Sequence, residues 1–343
     1  MCLQHQGIVL AGTILTDIVK TIDAYPQIGM LANISSVSRS VGGCVPNTGI
    51  DLAKIDREIP LTALGCVGDD EYGRFVLSQL QSYGIHTDCI SVTGDAPTSF
   101  SDVMSLPNGE RTFFHARGAN ALFTPKQVRI DTLHCKILHV GYLLLLDEFD
   151  KADTQYGTVM ARFLHDAQQA GIQTSIDSVS DCTANFSQVI IPALRFCDYV
   201  IVNEIECTSI WDISPRDAVG NLSVENIFNA MKKTISVGVR EKVIVHSKEA
   251  GFCLSTDGSF TIVPSLSIPA SDLRGSVGAG DAFCAGCLYG IYHGLSDREI
   301  LEFASAAAAC NLFATNSVDG MRSASEIRRM MERYPRRVLD FTR

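Results

Sequence analysis

Gly275-Ser276-Val277-Gly278-Ala279-Gly280-Asp281 runs directly into Ala282-Phe283-Cys284-Ala285-Gly286, and this stretch decides how the chain is read. Three glycines precede an apolar, small-residue helix. Glycine lets backbone N–H groups converge without side-chain clash. The helix N-terminus adds partial positive charge. Together they form a pocket suited to phosphate oxygens. An acid in that pocket has two readings. Asp281 can cap the helix. It can also take a proton from a hydroxyl attacking a phosphoryl group, while the amides of Gly278, Ala279 and Gly280 hold the charge that develops. The stretch is not a Walker A loop, which ends Gly-Lys-Ser/Thr. Nor is it G-x-G-x-x-G, whose place is after the first strand.

Outward from it, short apolar runs alternate with longer amphipathic ones. The spacing predicts strands at Ile8–Ala11, Leu61–Val67, Ile137–Leu146, Gln173–Asp177, Tyr199–Val202 and Val243–His246. It predicts helices at Thr48–Glu58, Arg74–Tyr83, Thr154–Ala170, Ser223–Val237, Asp281–His293 and Asp297–Phe313. Strands alternating with helices of this length argue for an α/β fold with a mostly parallel sheet covered on both faces. Two segments break the rhythm. Thr98 to Leu106 and Arg111 to Ala116 flank Pro107-Asn108-Gly109, a hairpin signal. Thr13 to Val41 lacks a helical period. The reading is an α/β core of residues 1–12, 42–97 and 119–343, with residues 13–41 and 98–118 as a discontinuous β-rich lid.

Composition sets bounds on function. The 343 residues are 46% hydrophobic and 19% charged, enough for a sizeable core. The formal charge of −10 argues against nucleic acid as a partner. No run approaches the roughly 20 apolar residues of a membrane span. No Lys or Arg precedes Lys20, so a secretory leader is not expected. The twelve cysteines are scattered, and reduced, mostly buried thiols in a cytoplasmic protein are expected.

Gly278-Ala279-Gly280-Asp281, late in the chain and followed by a small-residue helix, resembles the ribokinase-like (PfkB) family of sugar and nucleoside kinases. Other segments agree in content and order. Gly12 with Asp17 resembles the family's first strand and substrate-binding acid. Gly42-Gly43-Cys44-Val45-Pro46-Asn47 resembles its Gly-Gly-x-x-x-Asn. Gly65 to Gly73 resembles G-x-V-G-x-D-x-x-G, and Gly118-Ala119-Asn120 follows the second lid strand. Asn203-Glu204-Ile205-Glu206 resembles N-x-x-E. These matches span roughly residues 7 to 320.

The resemblance implies a three-layer αβα fold with a small β-sheet lid. It implies ATP as donor and a primary hydroxyl of a sugar-like substrate as acceptor. Asp281 would be the catalytic base, with Gly278, Ala279 and Gly280 as the anion hole. Asp17, Gly42, Gly43, Asn47 and Asn120 would hold substrate hydroxyls. Gly251, with Asn203, Gly278 and Gly280, would face the nucleotide. Asn203 and Glu206 would organise Mg2+, through water. A homodimer through the lid is also expected, because a hairpin carrying Phe100, Val103, Phe113 and Phe114 is hard to cover alone. Two alternatives stand beside this: a nucleoside acceptor, and a non-catalytic ligand-binding relative.

The sequence also departs from the family's pattern. Gly275 and Ser276 stand where many members carry Asp-Thr, so the resemblance lends no support to a monovalent-cation site. His246-Ser247-Lys248-Glu249-Ala250-Gly251 replaces Thr-Leu-Gly-x-x-Gly on the nucleotide side. Leu15 and Tyr142 stand where ribose-specific members carry polar contacts, which speaks against ribose. Among the remaining features, Cys284-Ala285-Gly286-Cys287 reads as two buried thiols on one helix face rather than a zinc motif. His134 and His139 read as packing or surface residues. His115 reads as a lid-strand surface residue, with facing the substrate as the alternative, and Arg111 as a solvated charge, with reaching a phosphate on an already phosphorylated substrate as the alternative. Asp69-Asp70-Glu71 reads as a polar loop before a helix. Arg328, Arg329, Arg333, Arg336 and Arg337 read as a solvated helix.

Overall fold

The computed structural model describes residues 5–106, 110–179 and 186–339. The Pro107-Asn108-Gly109 turn, Cys2 and Cys182 lie outside the described residues. The chain opens with β1 (Ile8–Gly12), β2 (Leu15–Ile22), β3 (Ile34–Gly42) and α1 (Cys44–Ile55). Then come β4 (Leu61–Gly68), α2 (Glu71–Ser82), β5 (Ile90–Thr93), β6 (Ser99–Ser105), β7 (Arg111–Ala116) and β8 (Ile137–Leu143). A short pair, β9 (Ala152–Asp153) and β10 (Gly157–Thr158), precedes α3 (Val159–Gln169) and β11 (Gln173–Ser178). Next are α4 (Phe186–Leu194), β12 (Tyr199–Asn203), α5 (Glu204–Ser209), α6 (Val224–Val237) and β13 (Lys242–His246). The chain finishes through β14 (Ala250–Ser255), β15 (Phe260–Pro264), α7 (Ala279–Tyr292), α8 (Asp297–Asn311) and α9 (Ala324–Arg333).

Nine strands form the central sheet, in the order β15-β14-β13-β12-β11-β8-β1-β4-β5. The pairings from β13 to β5 are parallel, and β14 and β15 turn antiparallel at one edge. Strands buried on both faces need continuous apolar runs, and Ile8-Val9-Leu10-Ala11 and Tyr199-Val200-Ile201-Val202 supply them. On one face Ile50, Leu80, Leu288, Leu301 and Ile327 from α1, α2, α7, α8 and α9 form one core. On the other, Phe163, Ile190, Cys207, Ile227 and Met231 from α3, α4, α5 and α6 form a second. The result is the expected three-layer αβα arrangement.

A separate four-stranded sheet has the order β3-β2-β6-β7. Its outer pairings are antiparallel, and β2 pairs with β6 in parallel. Ile34, Val37, Phe113 and Phe114 are exposed on it, whereas Val103 is buried.

Several boundaries differ from the sequence reading, each for a local reason. α1 begins at Cys44, directly after Gly43, four residues before the expected start. α3 begins at Val159 rather than Thr154, because the Thr158 hydroxyl accepts from Ala161 N at 3.1 Å and the β9–β10 pair occupies the residues before it. β8 stops at Leu143, where Tyr142 (φ 59°) and Leu144 (φ 82°) leave the extended region.

Candidate active site

The parallel strands deliver their C-terminal ends to one edge of the sheet, where ligands bind in open α/β folds. Gly278 caps α7 with φ 76° and contributes no side-chain bond. A Cβ there would lie 2.6 Å from Ser317 Cβ and from its carbonyl oxygen, so only glycine fits. Asp281 is the third residue of α7 and does not cap it, which removes the capping reading. Its buried carboxylate accepts instead from Asn47 Nδ2 at 2.9 Å and from the Tyr142 hydroxyl at 3.0 Å to each oxygen. Ser317 Oγ donates to Asn47 Oδ1 at 2.7 Å, which orients the amide so that its N–H faces Asp281. Burial pushes the Asp281 carboxyl up to about 6, and the bonds from Asn47 and Tyr142 hold it back from going higher. A carboxylate poised there can accept a proton near neutral pH.

Asp281 opens into a cavity of about 970 Å³ lined also by Leu15, Asp17, Gly43, Asn47 and Tyr142. Arg111, His115 and Arg274 line the same space. Burial and the nearby Asp281 charge push the Asp17 carboxyl up to about 7, against the opposing pull of Arg111. Gly42 makes room for it, since a Cβ there would fall 2.5 Å from an Asp17 carboxylate oxygen. The Arg111 guanidinium, on the small sheet, donates to the Thr315 carbonyl at 2.7 Å and ties that sheet to the segment beneath the glycine loop. Neither Arg111 nor His115 is merely a surface residue.

A second cavity of about 280 Å³ lies on the other side of the α7 N-terminus, with His246, Ser247, Ser276, Ala279, Gly280 and Phe283 in its wall. Leu273, Ser276 and Leu312 line both cavities, so the two meet at the glycine loop. The His246 ring lies 4.8 Å from the Phe283 ring. Burial lowers its imidazole to about 4, so the ring is neutral and offers a flat apolar face. Gly251 is buried on β14, where a Cβ would meet Leu301 and Phe283 at 3.2 and 3.3 Å, and it is not part of the cavity wall.

The N-x-x-E segment folds as a reciprocal helix cap. Asn203 Oδ1 accepts from Glu206 N at 2.8 Å, and the Glu206 carboxylate accepts from Asn203 N at 3.0 Å and Nδ2 at 2.6 Å. Asp177, at the end of β11, feels the charges of both Glu206 and Asp281, and burial with these neighbours raises its carboxyl. Asn120 is buried away from the large cavity's lining, and its Oδ1 accepts from Ile14 N at 3.0 Å.

Of the residues the sequence singles out, Asp17, Gly43, Asn47, Gly278 and Asp281 line the large cavity, and Ala279 and Gly280 line the smaller one. The sequence reading assigns no role to Ser317, Arg274 or Asp177, and treats Tyr142 only as a departure. Asp70, by contrast, caps α2 through Gly73 N at 2.8 Å and accepts from Thr98 N and Oγ1 at 2.7 Å, the structural role its position suggests.

Known proteins agree with this architecture. A ribokinase of Schizosaccharomyces pombe is 23% identical over 331 residues, covering 94% of this chain and 96% of the relative. A 5-dehydro-2-deoxygluconokinase of Shouchella clausii is 21% identical over 309 residues, covering 87% and 88%. The crystal structure of Thermotoga maritima ribokinase superposes with a TM-score of 0.78 at 18% identity, over 95% of this chain and 99% of that one. The family described as pfkB family carbohydrate kinase matches residues 6–323, nearly the whole length, and the chain belongs to it: it is a phosphotransferase with an alcohol group as acceptor.

Proposed function

We propose that this kinase passes the γ-phosphoryl group of ATP across the N-terminus of α7 to a primary hydroxyl of a sugar or sugar-like acceptor. The observation that carries the reading is the pair of cavities meeting at the glycine loop, with Asp281 on the larger side and a neutral His246–Phe283 face on the smaller. The acceptor occupies the large cavity. Asp17, Asn47 and the Gly43 backbone hold its hydroxyls, because a carboxylate and an amide bind vicinal hydroxyls in pairs. Asp281 takes the proton of the attacking hydroxyl. The N–H groups of the first turn of α7 face the charge that spreads over the transferring group, and that of Ala279 also donates to the Ser276 carbonyl at 3.3 Å. The adenine ring lies against His246 and Phe283.

Glu206 supplies the hard oxygen that Mg2+ prefers, and with Asn203 it would hold the ion through water. Bound there, the ion would neutralise donor phosphate charge. The reciprocal cap fixes both side chains at the strand end before any ion arrives. The small sheet acts as the lid: Arg111 already reaches across to Thr315, and closure would keep water from the donor phosphate. The two curated relatives carry different substrate names, ribokinase and 5-dehydro-2-deoxygluconokinase, so the names do not choose an acceptor. Leu15 and Tyr142 in the cavity wall favour one less polar than ribose.

The exposed Ile34, Val37, Phe113 and Phe114 support a homodimer through the small sheet, and a single-chain mass in analytical ultracentrifugation would remove that reading. No helix among the described residues is long and apolar enough to cross a membrane. The ten described cysteines are free thiols, nine of them buried, which supports a reducing, cytoplasmic setting.

The test is ADP release from MgATP across sugars, sugar phosphates, sugar acids, polyols and nucleosides. One acceptor is expected to give a signal that Asp281→Asn and EDTA both abolish. Release that survives Asp281→Asn at near wild-type rate would refute the base assignment.

A further inference from the structure

The Cys284-Ala285-Gly286-Cys287 stretch does not work as a pair. Cys287 neighbours Cys253, whereas Cys284 Sγ lies 3.5 Å from His139 Nε2. The Asp177 carboxylate completes a group whose ligating atoms all lie within 4.8 Å of one another. The three side chains come from α7, β8 and β11, adjacent elements of the packed core. They offer one nitrogen, one sulfur and one oxygen, a donor set that suits zinc.

Geometry supports the same conclusion. Zinc bonds of about 2.05 Å to nitrogen and about 2.3 Å to sulfur, at a tetrahedral angle of about 109°, set the two ligand atoms about 3.6 Å apart. The observed separation is 3.5 Å. The His139 Nδ1 lies 3.0 Å from Ser175 Oγ, and an Nδ1–H donated there turns the Nε2 lone pair toward Cys284. A further thiol lies nearby, in contact with the Thr13 hydroxyl at 3.5 Å. Cys44 Sγ and His139 Nε2 lie 2.7 and 3.5 Å from the point where a Gly141 Cβ would stand, so only a residue without a side chain leaves that space open. A thiol–imidazole hydrogen bond would account for Cys284 and His139 alone. It does not account for the Asp177 carboxylate, which lies within 4.8 Å of both and also accepts from Ser178 N at 2.7 Å.

We propose that His139, Asp177 and Cys284, with Cys44 as the nearest fourth donor, form a zinc-type cation site beneath the catalytic carboxylate. The ion displaces the Cys284 proton to solvent and binds the thiolate, with no change of oxidation state. Cys284 follows Asp281 by three residues on α7, so an ion held there would fix the first turn of that helix and pull on the base. Occupancy would therefore inhibit phosphoryl transfer. Asp177 is the most exposed of the three, at 9%.

The test uses the full chain without nucleotide. Zn2+ binding is measured by equilibrium dialysis with elemental analysis, and Co2+ is used as an optical probe of sulfur ligation. One Zn2+ per chain is expected, with a Kd of about 1 μM or below. Cys284→Ala should weaken binding at least about 100-fold and cut the Co2+–thiolate absorption to what Cys44 alone can supply. Cys287→Ala and Cys89→Ala should bind as the wild type does. Asp281→Asn should also bind, which separates this site from the catalytic reading. Free Zn2+ should inhibit turnover in step with occupancy, and Cys284→Ala should resist it by the same factor. If Cys284→Ala does not fold, as judged by circular dichroism, Cys284→Ser replaces it, since a serine hydroxyl is a poor zinc ligand. Stoichiometric binding that persists in the Cys284 variant, no stoichiometric binding in the wild type, or Co2+ binding without a thiolate band would each overturn the proposal.

Discussion

Replacing Tyr142 by Phe removes one hydroxyl and little else, and it should move the pH profile rather than abolish activity. That hydroxyl lies 3.0 Å from both oxygens of Asp281 and donates to the charged form. A hydrogen bond to a charged group contributes about 1.5–3 kcal/mol. One pKa unit corresponds to about 1.4 kcal/mol. Losing the bond should therefore raise the Asp281 carboxyl by about 1–2 units from its value of about 6. At pH 7 the ionised fraction would fall from about nine-tenths to between about a half and a tenth. Asp17, held up to about 7 by burial and by Asp281, titrates in the same range, so the wild-type acidic limb should be steeper than one proton gives. The assay is kcat/KM from about pH 5 to 9, where the free enzyme's essential groups report. The acidic limb should move up by about 1–2 units, and the alkaline plateau should stay within about threefold of wild type. A uniform loss at every pH, with the limb in place, would mean that Tyr142 shapes the cavity and does not tune the base.

Other consequences follow from the same geometry. Asp281→Asn should cut turnover by about 10²–10⁴. The same change should raise Tm at pH 8. Folding raises this carboxyl, so the folded state loses stability as pH climbs from about 4 through about 6; the amide escapes that loss, and the gap should close near pH 4. Gly278→Ala should lower stability by about 1–3 kcal/mol in denaturant titration, from the positive φ and the clash with Ser317, and should lower turnover by displacing Asn47. Arg111→Gln removes the 2.7 Å bond to Thr315, and should raise both the acceptor KM and the ATP hydrolysis seen without acceptor; unchanged values would leave Arg111 no part in closure.

The α/β alternation was legible because buried parallel strands need uninterrupted apolar runs, and those runs stand out. The edge hairpin was not. Asp257-Gly258, with Gly258 at φ 90°, joins β14 to β15 by the same Asx-Gly chemistry that marks the small sheet, but its flanking runs are short, one almost wholly buried and the other half-buried. Tyr142 resisted sequence reading because its role depends on a left-handed backbone at the end of β8, a tertiary outcome that no local propensity announces. Asp177 resisted it for a different reason. A lone acid at a strand end acquires meaning only when folding brings Glu206 and Asp281 beside it. The glycine loop was readable because its chemistry is local: three glycines, a helix start and an acid within one turn.

Asn203 and Glu206 grip each other across the first turn of α5, so they serve architecture as well as any ion. A descendant of this chain that drifted from turnover to simple ligand capture would have reason to keep both. It would have the opposite incentive at Asp281, whose burial penalises the folded state above pH 6. Once that acid was gone, Tyr142 and Asn47 would lose the acceptor that holds their donors. Decay should therefore travel outward from the base, and N-x-x-E should outlast it as a fossil. Whether such a lineage is alive or dead is better judged from the triangle of Asn47, Tyr142 and Asp281 than from N-x-x-E.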